Sequence, residues 1–448
     1  DFASDLLLED VGSASTTRVN ANDTDYKYQA VFGRLNYTYA NRYIVNLTGR
    51  RDGSSRFGPG KRFANFGAVG TAWIFSNESF FKTGFLSFGK LRASYGTSGN
   101  DQIGDYRYLD TYTATDYPYQ GITGLHPTRL FNPVYGWETN KKLEAAIDLG
   151  FIRDRIRFSA AWYRNRSSNQ LVGYPLPSVT GFLSIQNNLA AKVENTGIEL
   201  ELHTVNMDKD NFKWTTSANI SFPNNELLEY PDLENSSYAQ VYELGKSLSL
   251  ERSFYFTGVN PQTGIYTFED VDGDGAISYP NDLQSLIELD PDFYGGIGNT
   301  FSYKGFQLDV FFQFVKQLGH DPLYLSGAAP GRIGNQPIEV LNRWQQVGDL
   351  TAIQQFTQST ISDAYTTYTD SYFYGDNRFS DASFVRLKTV SLTYQMPKGI
   401  FGDFNPEIYL QGQNLLTITG YKGLDPEYSR SLRLPPLRMV TAGFRLTF

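Results

Sequence analysis

The sequence predicts an all-β protein, a transmembrane antiparallel β-barrel with long extracellular loops, on three observations. The first is alternation. In the final stretch Val440, Ala442, Phe444, Leu446 and Phe448 alternate with Thr441, Gly443, Arg445 and Thr447, so one face of a strand is apolar and the other polar. A bilayer accepts the apolar face outside, and a wide lumen accepts the polar one inside. The second is composition. The 448 residues include 31 Tyr and 33 Phe, no Cys and 3 Met, and no run approaches the roughly 18 apolar residues of a transmembrane helix. Closed barrels are the other structures that satisfy every backbone group in lipid. The third is the order of the connections, described below.

About thirteen strands are expected from the period-two pattern. The first four cover residues 26–39, 43–53, 62–75 and 86–97. The next four cover 139–150, 154–165, 191–204 and 212–222. The last five cover 294–303, 305–315, 382–397, 404–414 and 437–448. Alternation is cleanest where Leu143, Ala145, Ile147 and Leu149 interleave with Lys142, Glu144 and Asp148. It recurs where Phe306, Leu308, Val310, Phe312 and Phe314 interleave with Gln307, Asp309 and Gln313. Ile147, Leu149, Val310, Phe312, Phe444 and Leu446 are therefore expected to meet lipid, and Asp148, Gln313 and Arg445 the lumen or a plug.

The connections fall into two sets that take turns. Short ones occupy residues 40–42, 76–85, 151–153, 205–211, 304 and 398–403. Long ones occupy 98–138, 166–190, 223–293, 316–381 and 415–436. Outer-membrane barrels have short periplasmic turns and longer outer loops, whereas a soluble sandwich has no reason to sort its loops. If the final strand ends at the periplasmic side, Phe448 lies at the periplasmic rim and Asp1 on the outer side. The first strand then runs inward, and an even-numbered barrel requires at least one strand upstream. Residues 1–25 are expected to be an extracellular loop, and residues 26–448 the C-terminal part of a barrel.

Two stretches occur in the first quarter of the chain. They are Leu47-Thr48-Gly49-Arg50-Arg51-Asp52-Gly53-Ser54-Ser55-Arg56-Phe57-Gly58 and Lys90-Leu91-Arg92-Ala93-Ser94-Tyr95-Gly96-Thr97-Ser98-Gly99-Asn100. Two more are Phe384-Val385-Arg386-Leu387-Lys388 and Asn414-Leu415-Leu416-Thr417-Ile418-Thr419-Gly420-Tyr421-Lys422-Gly423-Leu424-Asp425-Pro426-Glu427. In this order they resemble the barrel of SusC/RagA-like TonB-dependent outer-membrane transporters, from about residue 26 to the end. The resemblance implies a barrel of about 22 strands, a size at which the lumen is wide and plugged. It also implies a plug domain and a TonB-contacting segment upstream, neither of which is in this chain. Partners implied by it are the TonB complex and a SusD-like surface lipoprotein that closes as a lid over an oligosaccharide or peptide substrate. The location implied is the outer membrane of a Gram-negative bacterium.

Most matched residues read as structural. Arg50, Arg51 and Asp52 are expected to form a charge network bracing the lumen wall. Tyr37, Tyr39 and Tyr43 flank a short turn as an interfacial aromatic girdle does. The loop aromatics Tyr106, Tyr108, Tyr112, Tyr117 and Tyr119, and Tyr365, Tyr368, Tyr372, Phe373 and Tyr374, could stack on sugars, meet a lid or pack against other loops.

One segment carries specific chemistry. Asp270-Val271-Asp272-Gly273-Asp274-Gly275-Ala276-Ile277-Ser278 sets carboxylates on alternate residues before a glycine and an aliphatic, as the opening of an EF-hand calcium loop does. The candidate calcium ligands are Asp270, Asp272, Asp274, Ala276, Ser278 and Asp282. Asn281 stands where the closing glutamate would be, with Asp282 next. The competing reading is an acidic turn without an ion, since Asp and Gly favour turns. His126, His203 and His320 have no metal-pair spacing and no Gly-x-Ser-x-Gly elbow occurs, so no enzyme is expected. The net charge of −8 argues against a nucleic-acid partner. A passive porin-like surface barrel or a receptor without a lid is the functional alternative.

Overall fold

The computed structural model describes residues 2, 4–7, 9–14, 23–81, 84–115, 119–397 and 404–447. Thirteen strands form one sheet in which each pairs antiparallel with the next in sequence. They are β1 (Tyr28–Tyr39), β2 (Tyr43–Ser54), β3 (Phe63–Trp73) and β4 (Leu86–Asn100). Then come β5 (Glu138–Phe151), β6 (Ile156–Pro175), β7 (Ser184–Lys209) and β8 (Phe212–Glu229). The sheet ends with β9 (Phe293–Tyr303), β10 (Phe306–Lys316), β11 (Phe384–Gln395), β12 (Asn405–Thr419) and β13 (Met439–Thr447). The expected positions of Asp1 and Phe448, and the turn 398–403, lie outside the described residues.

The register makes the two faces explicit, because directly opposed residues of an antiparallel pair share a face. Tyr39, Tyr43, Trp73, Leu91, Ile147, Ala160, Leu200, Ile220, Gly295, Phe314, Val385 and Ile418 stand opposite one another in turn across β1 to β12. A neighbouring row joins Leu149, Phe158, Leu202, Ala218, Ile297, Phe312, Leu387 and Leu416. The opposite face carries Lys90, Asp148, Ser159, Glu201, Asn219, Gly296, Gln313, Arg386 and Thr417 in one row. All nine residues assigned to a face from the sequence lie on the expected side, with Arg445 directly opposite Glu407 and 3.1 Å from it.

Alternation is broken at Phe311, which shares the polar face with Asp309 and Gln313. A bulge between Phe311 and Phe312 in the pairing of β10 with β11 lets the apolar row resume with Leu387. The ring lies over Gly296, where an added Cβ would meet it at 2.6 Å, so glycine is what makes room for an aromatic on the polar side.

The connections separate to the two ends of the sheet as expected. At one end Ala40 and Asn41, Ile152 to Asp154, Asp210, and Lys304 with Gly305 take positive φ, the backbone of tight hairpin turns. At the other end lie the long loops. Strands β6, β7 and β8 correct the expected boundaries: β7 has 26 residues, and β6 and β8 reach Pro175 and Glu229. Most of the loop expected at 166–190 is therefore strand. Its polar run Gln186-Asn187-Asn188 pairs with Gly173, Val172 and Leu171. Alternation fades there where the extension packs against loop residues, Leu171 beside the Tyr135 cluster and Leu189 beside Tyr230. Ala191, Val193, Leu227 and Tyr230 are instead buried together under loop residues.

Candidate functional site

Buried side chains concentrate in the loops rather than under the sheet, and they bind the loops into a cap. Between β4 and β5, Tyr108, Tyr135 and Trp137 pack with Phe57 of the β2–β3 connection, and Phe57 and Tyr135 are fully buried. Arg56 fixes that loop from the neighbouring turn through Asp105 at 3.0 Å and the carbonyl of Asp101 at 2.9 Å. Tyr106, Tyr112 and Tyr119 remain exposed, while Tyr117 lies outside the described residues.

The two longest connections, residues 230–292 and 317–383, pack against each other. Tyr266 from the first joins Leu323, Ala329, Val340, Tyr368 and Tyr372 from the second in one cluster. Backbone bonds cross between them: Phe254 N–H donates to Tyr374 at 2.7 Å, Asp376 N–H to Phe254 at 3.0 Å, and Gln355 N–H to Gly264 at 2.8 Å. Arg378 reaches Glu251 at 2.7 Å. The third long connection joins them where Tyr421 Oη donates to the His320 carbonyl at 2.7 Å and Gln317 Nε2 to that of Pro426 at 2.7 Å. Tyr365, Tyr368, Tyr372 and Phe373 are thus loop-packing residues. Part of the aromatic surface of these loops is thus spent within the cap.

Two matched motifs meet at one buried charge cluster. Arg386 on β11 is fully buried. It donates to Asp425 Oδ2 at 2.5 Å, to Glu427 Oε2 at 2.5 Å and to Thr417 Oγ1 at 2.9 Å. Lys388 also pairs with Glu427 at 3.1 Å. The cluster ties the β12–β13 loop to the polar wall of the sheet. No local sequence signal links residues so far apart, so pattern reasoning missed it.

The charge network expected at Arg50 to Asp52 is corrected in one member. Arg50 Nε lies 2.6 Å from Asp52 Oδ1, and Arg50 Nη2 donates to Tyr28 Oη at 2.6 Å. Arg51 points to the other face, over the Phe63 ring at 5.2 Å and toward Asn65, because consecutive strand residues alternate sides. Tyr39 and Tyr43 stack at 6.4 Å beside the first short turn. Tyr43 Oη also donates to Glu78 at 2.6 Å.

The acidic segment forms a compact turn. Carboxylate oxygens of Asp270, Asp272 and Asp274 lie within 4.8 Å of one another, and Gly273 and Gly275 take φ of 73° and 88°, which glycine alone adopts freely. Asp270 accepts amide hydrogens of Gly273, Asp274 and Gly275 at 2.7, 3.2 and 2.8 Å. Ala276 donates its N–H to Asp274 Oδ1 at 2.8 Å. Asp282 is buried beneath the turn and accepts the amides of Ser278 at 2.8 Å and Val271 at 2.7 Å. Those bonds, the one from Ser278 foremost, hold its carboxyl below the usual carboxylate range. The structure thus brings the first three candidate ligands together and gives Asp282 a bracing position under the backbone.

A sequential antiparallel meander, apolar on one face and polar on the other, with tight turns at one end and long loops at the other, defines an outer-membrane β-barrel wall. The family described as TonB dependent receptor-like, beta-barrel matches residues 4–415. The chain belongs to that family. It is 30% identical to TonB-dependent receptor P3 of Formosa agariphila across 93% of the chain and 43% of that protein. It is 27% identical to TonB-dependent receptor SusC of Bacteroides thetaiotaomicron across 90% of the chain and 42% of that protein. Among solved structures, the RagAB peptide transporter superposes with TM-score 0.80 and 26% identity over 94% of this chain and 48% of that one. The chain spans about half the length of the curated relatives it matches.

Proposed function

We propose that this chain is the C-terminal wall and loop cap of a TonB-dependent outer-membrane importer that takes up a glycan or peptide beneath a SusD-like surface lipoprotein. The plug and TonB-contacting segment belong to the upstream part of the same protein. The single observation that carries this reading is the likeness to the RagAB peptide transporter along nearly the whole chain, cap included. That relative is also described as a peptide importer in 'open-open' and 'closed-closed' states. Hydrophobic side chains left uncovered in the cap, including Ile333, Ile338, Leu350 and Ile361, suit a surface that another protein covers.

Native membranes extracted in mild detergent should yield the receptor together with a lipoprotein, and uptake of a labelled oligosaccharide or peptide should stop when TonB is deleted. TonB-independent uptake would sink the energised reading. A receptor without a lid is favoured by the mutual packing of the two longest loops, which spends part of their aromatic surface within the cap. It prevails if the receptor always purifies alone and uptake survives loss of the lipoprotein.

We further propose that Asp270, Asp272 and Asp274 hold calcium or a similar hard cation, with Ala276 and Ser278 completing the turn, to brace the β8–β9 loop. Three carboxylates converge there with amide and Asn281 donors but no ion pair to Lys or Arg among the described residues. A cation offsets that repulsion. Calcium at about 1 mM, the useful range for extracellular modules, should protect residues 265–285 from hydrogen exchange, and Asp272→Ala should abolish the protection. Equal exchange with calcium and with chelator would refute the site.

A further inference from the structure

The loop cap encloses a cavity of about 240 Å³ that the preceding assignments leave unused. It lies where the β8–β9 and β10–β11 loops meet, with Lys422 of the β12–β13 loop at its edge. Its walls include Phe256, Tyr266 and Tyr372, whose rings are fixed by contact: Tyr266 stacks on Tyr372 at 5.0 Å, and Phe256 meets Tyr266 edge-on at 5.7 Å. Asp321 and Glu339 also line it.

The two carboxylates of this cavity keep acceptor capacity. Tyr266 is 3% exposed and contributes its ring to the wall, its hydroxyl being buried out of reach of the cavity. Asp321 uses Oδ1 to cap the short helix Pro322–Leu325, accepting from Leu323 N–H at 2.8 Å, which leaves Oδ2 available. Glu339 has no hydrogen-bond or ion-pair partner among the described residues. Burial, with the charge of Glu339 adding to it, raises the Asp321 carboxyl above its ordinary value. Two half-buried carboxylates facing one cavity without a cation repel each other.

We propose that this cavity binds an organic ammonium group. Carboxylates accept hydrogen bonds, an ammonium supplies only donors, and aromatic walls attract a cation through their ring faces. The volume admits the ammonium with a small body attached, so the chemistry fits the free amino end of a peptide or an amino sugar. Among the described residues that line the cavity, Lys422 is the competing cation, but it is exposed and forms no ion pair with either carboxylate.

The site is distinct from energised import and is tested apart from it. The full-length receptor in detergent is titrated calorimetrically with dialanine, N-acetyl-dialanine, glucosamine and N-acetylglucosamine. At least one free amine should bind, and its acetylated counterpart should bind at least about tenfold more weakly, a loss in the range expected for a charge-assisted hydrogen bond. Which amine binds identifies the source. Glu339→Gln and Asp321→Asn should each weaken that binding about tenfold, the Asn keeping the helix cap. Equal binding of free and acetylated probes, absence of binding at millimolar concentration, or unchanged binding in Glu339→Gln would overturn the site. TonB-dependent uptake, measured separately, stands or falls independently of these outcomes.

Discussion

Replacing Arg386 by alanine should destabilise the β12–β13 loop and its anchorage by about 3–5 kcal/mol, the cost of removing one partner from a buried ion pair. The guanidinium is fully buried and spends its fork on two carboxylates, with Nε on Thr417. Asp425 is buried as well, and without Arg386 its remaining donor is the Glu427 amide at 2.9 Å. Glu427 is less committed, because Lys388 still reaches it. The damage should therefore trace to Asp425, and Asp425→Asn added to Arg386→Ala should recover part of the loss. Arg386→Lys should rescue poorly, since an ammonium cannot reproduce the two-pronged geometry. Limited proteolysis within residues 420–438 and the temperature at which the barrel loses its compact electrophoretic mobility report both effects. Unchanged cleavage and melting in Arg386→Ala would mean that the cluster contributes nothing to the cap.

What could be read from sequence followed from how local its cause is. Strand existence and facing come from period two, which the bilayer and lumen impose residue by residue, so β1 to β5 and β9 to β13 were legible to within a few positions. The upper halves of β6, β7 and β8 were not, because beside loop residues a pair such as Asn188 with Leu171 satisfies backbone bonds without alternating hydrophobicity. Phe311 and Arg51 show the same limit at single-residue scale. A ring accommodated by Gly296 and a side switch along one strand depend on neighbours that sequence order does not reveal.

The cap divides in the same way. The turn at Asp270 to Gly275 was visible because its carboxylate spacing and glycines are encoded in consecutive residues. The Arg386 cluster and the cavity beside Tyr266 were invisible, since each joins segments from different loops. Loop length was legible, and the loop aromatics left three readings open: sugar stacking, a lid, or packing against other loops. In the structure Tyr266, Tyr368 and Tyr372 pack on one another.

Val310→Arg should destabilise the barrel by about 2–4 kcal/mol, the penalty for a charge on the lipid face near mid-membrane. Val310 sits near the middle of β10, opposite Asn299 on one side and Val390 on the other, with Leu308 and Phe312 flanking it on the same face. Its neighbour Asp309 points to the polar side and accepts from Thr300 Oγ1 at 2.6 Å. Asp309→Ala should therefore lose about 1.5–3 kcal/mol, the worth of a hydrogen bond to a charged group, and leave membrane insertion intact. Denaturant titration of the full-length barrel refolded in liposomes separates the two. The chain has no Cys, which allows an independent check of facing. Asp309→Cys should react with a water-soluble maleimide once the lumen is accessible, while Val310→Cys should stay unreactive in lipid. The reverse labelling would show β10 displaced by one residue, and every side chain on the strand would then change faces.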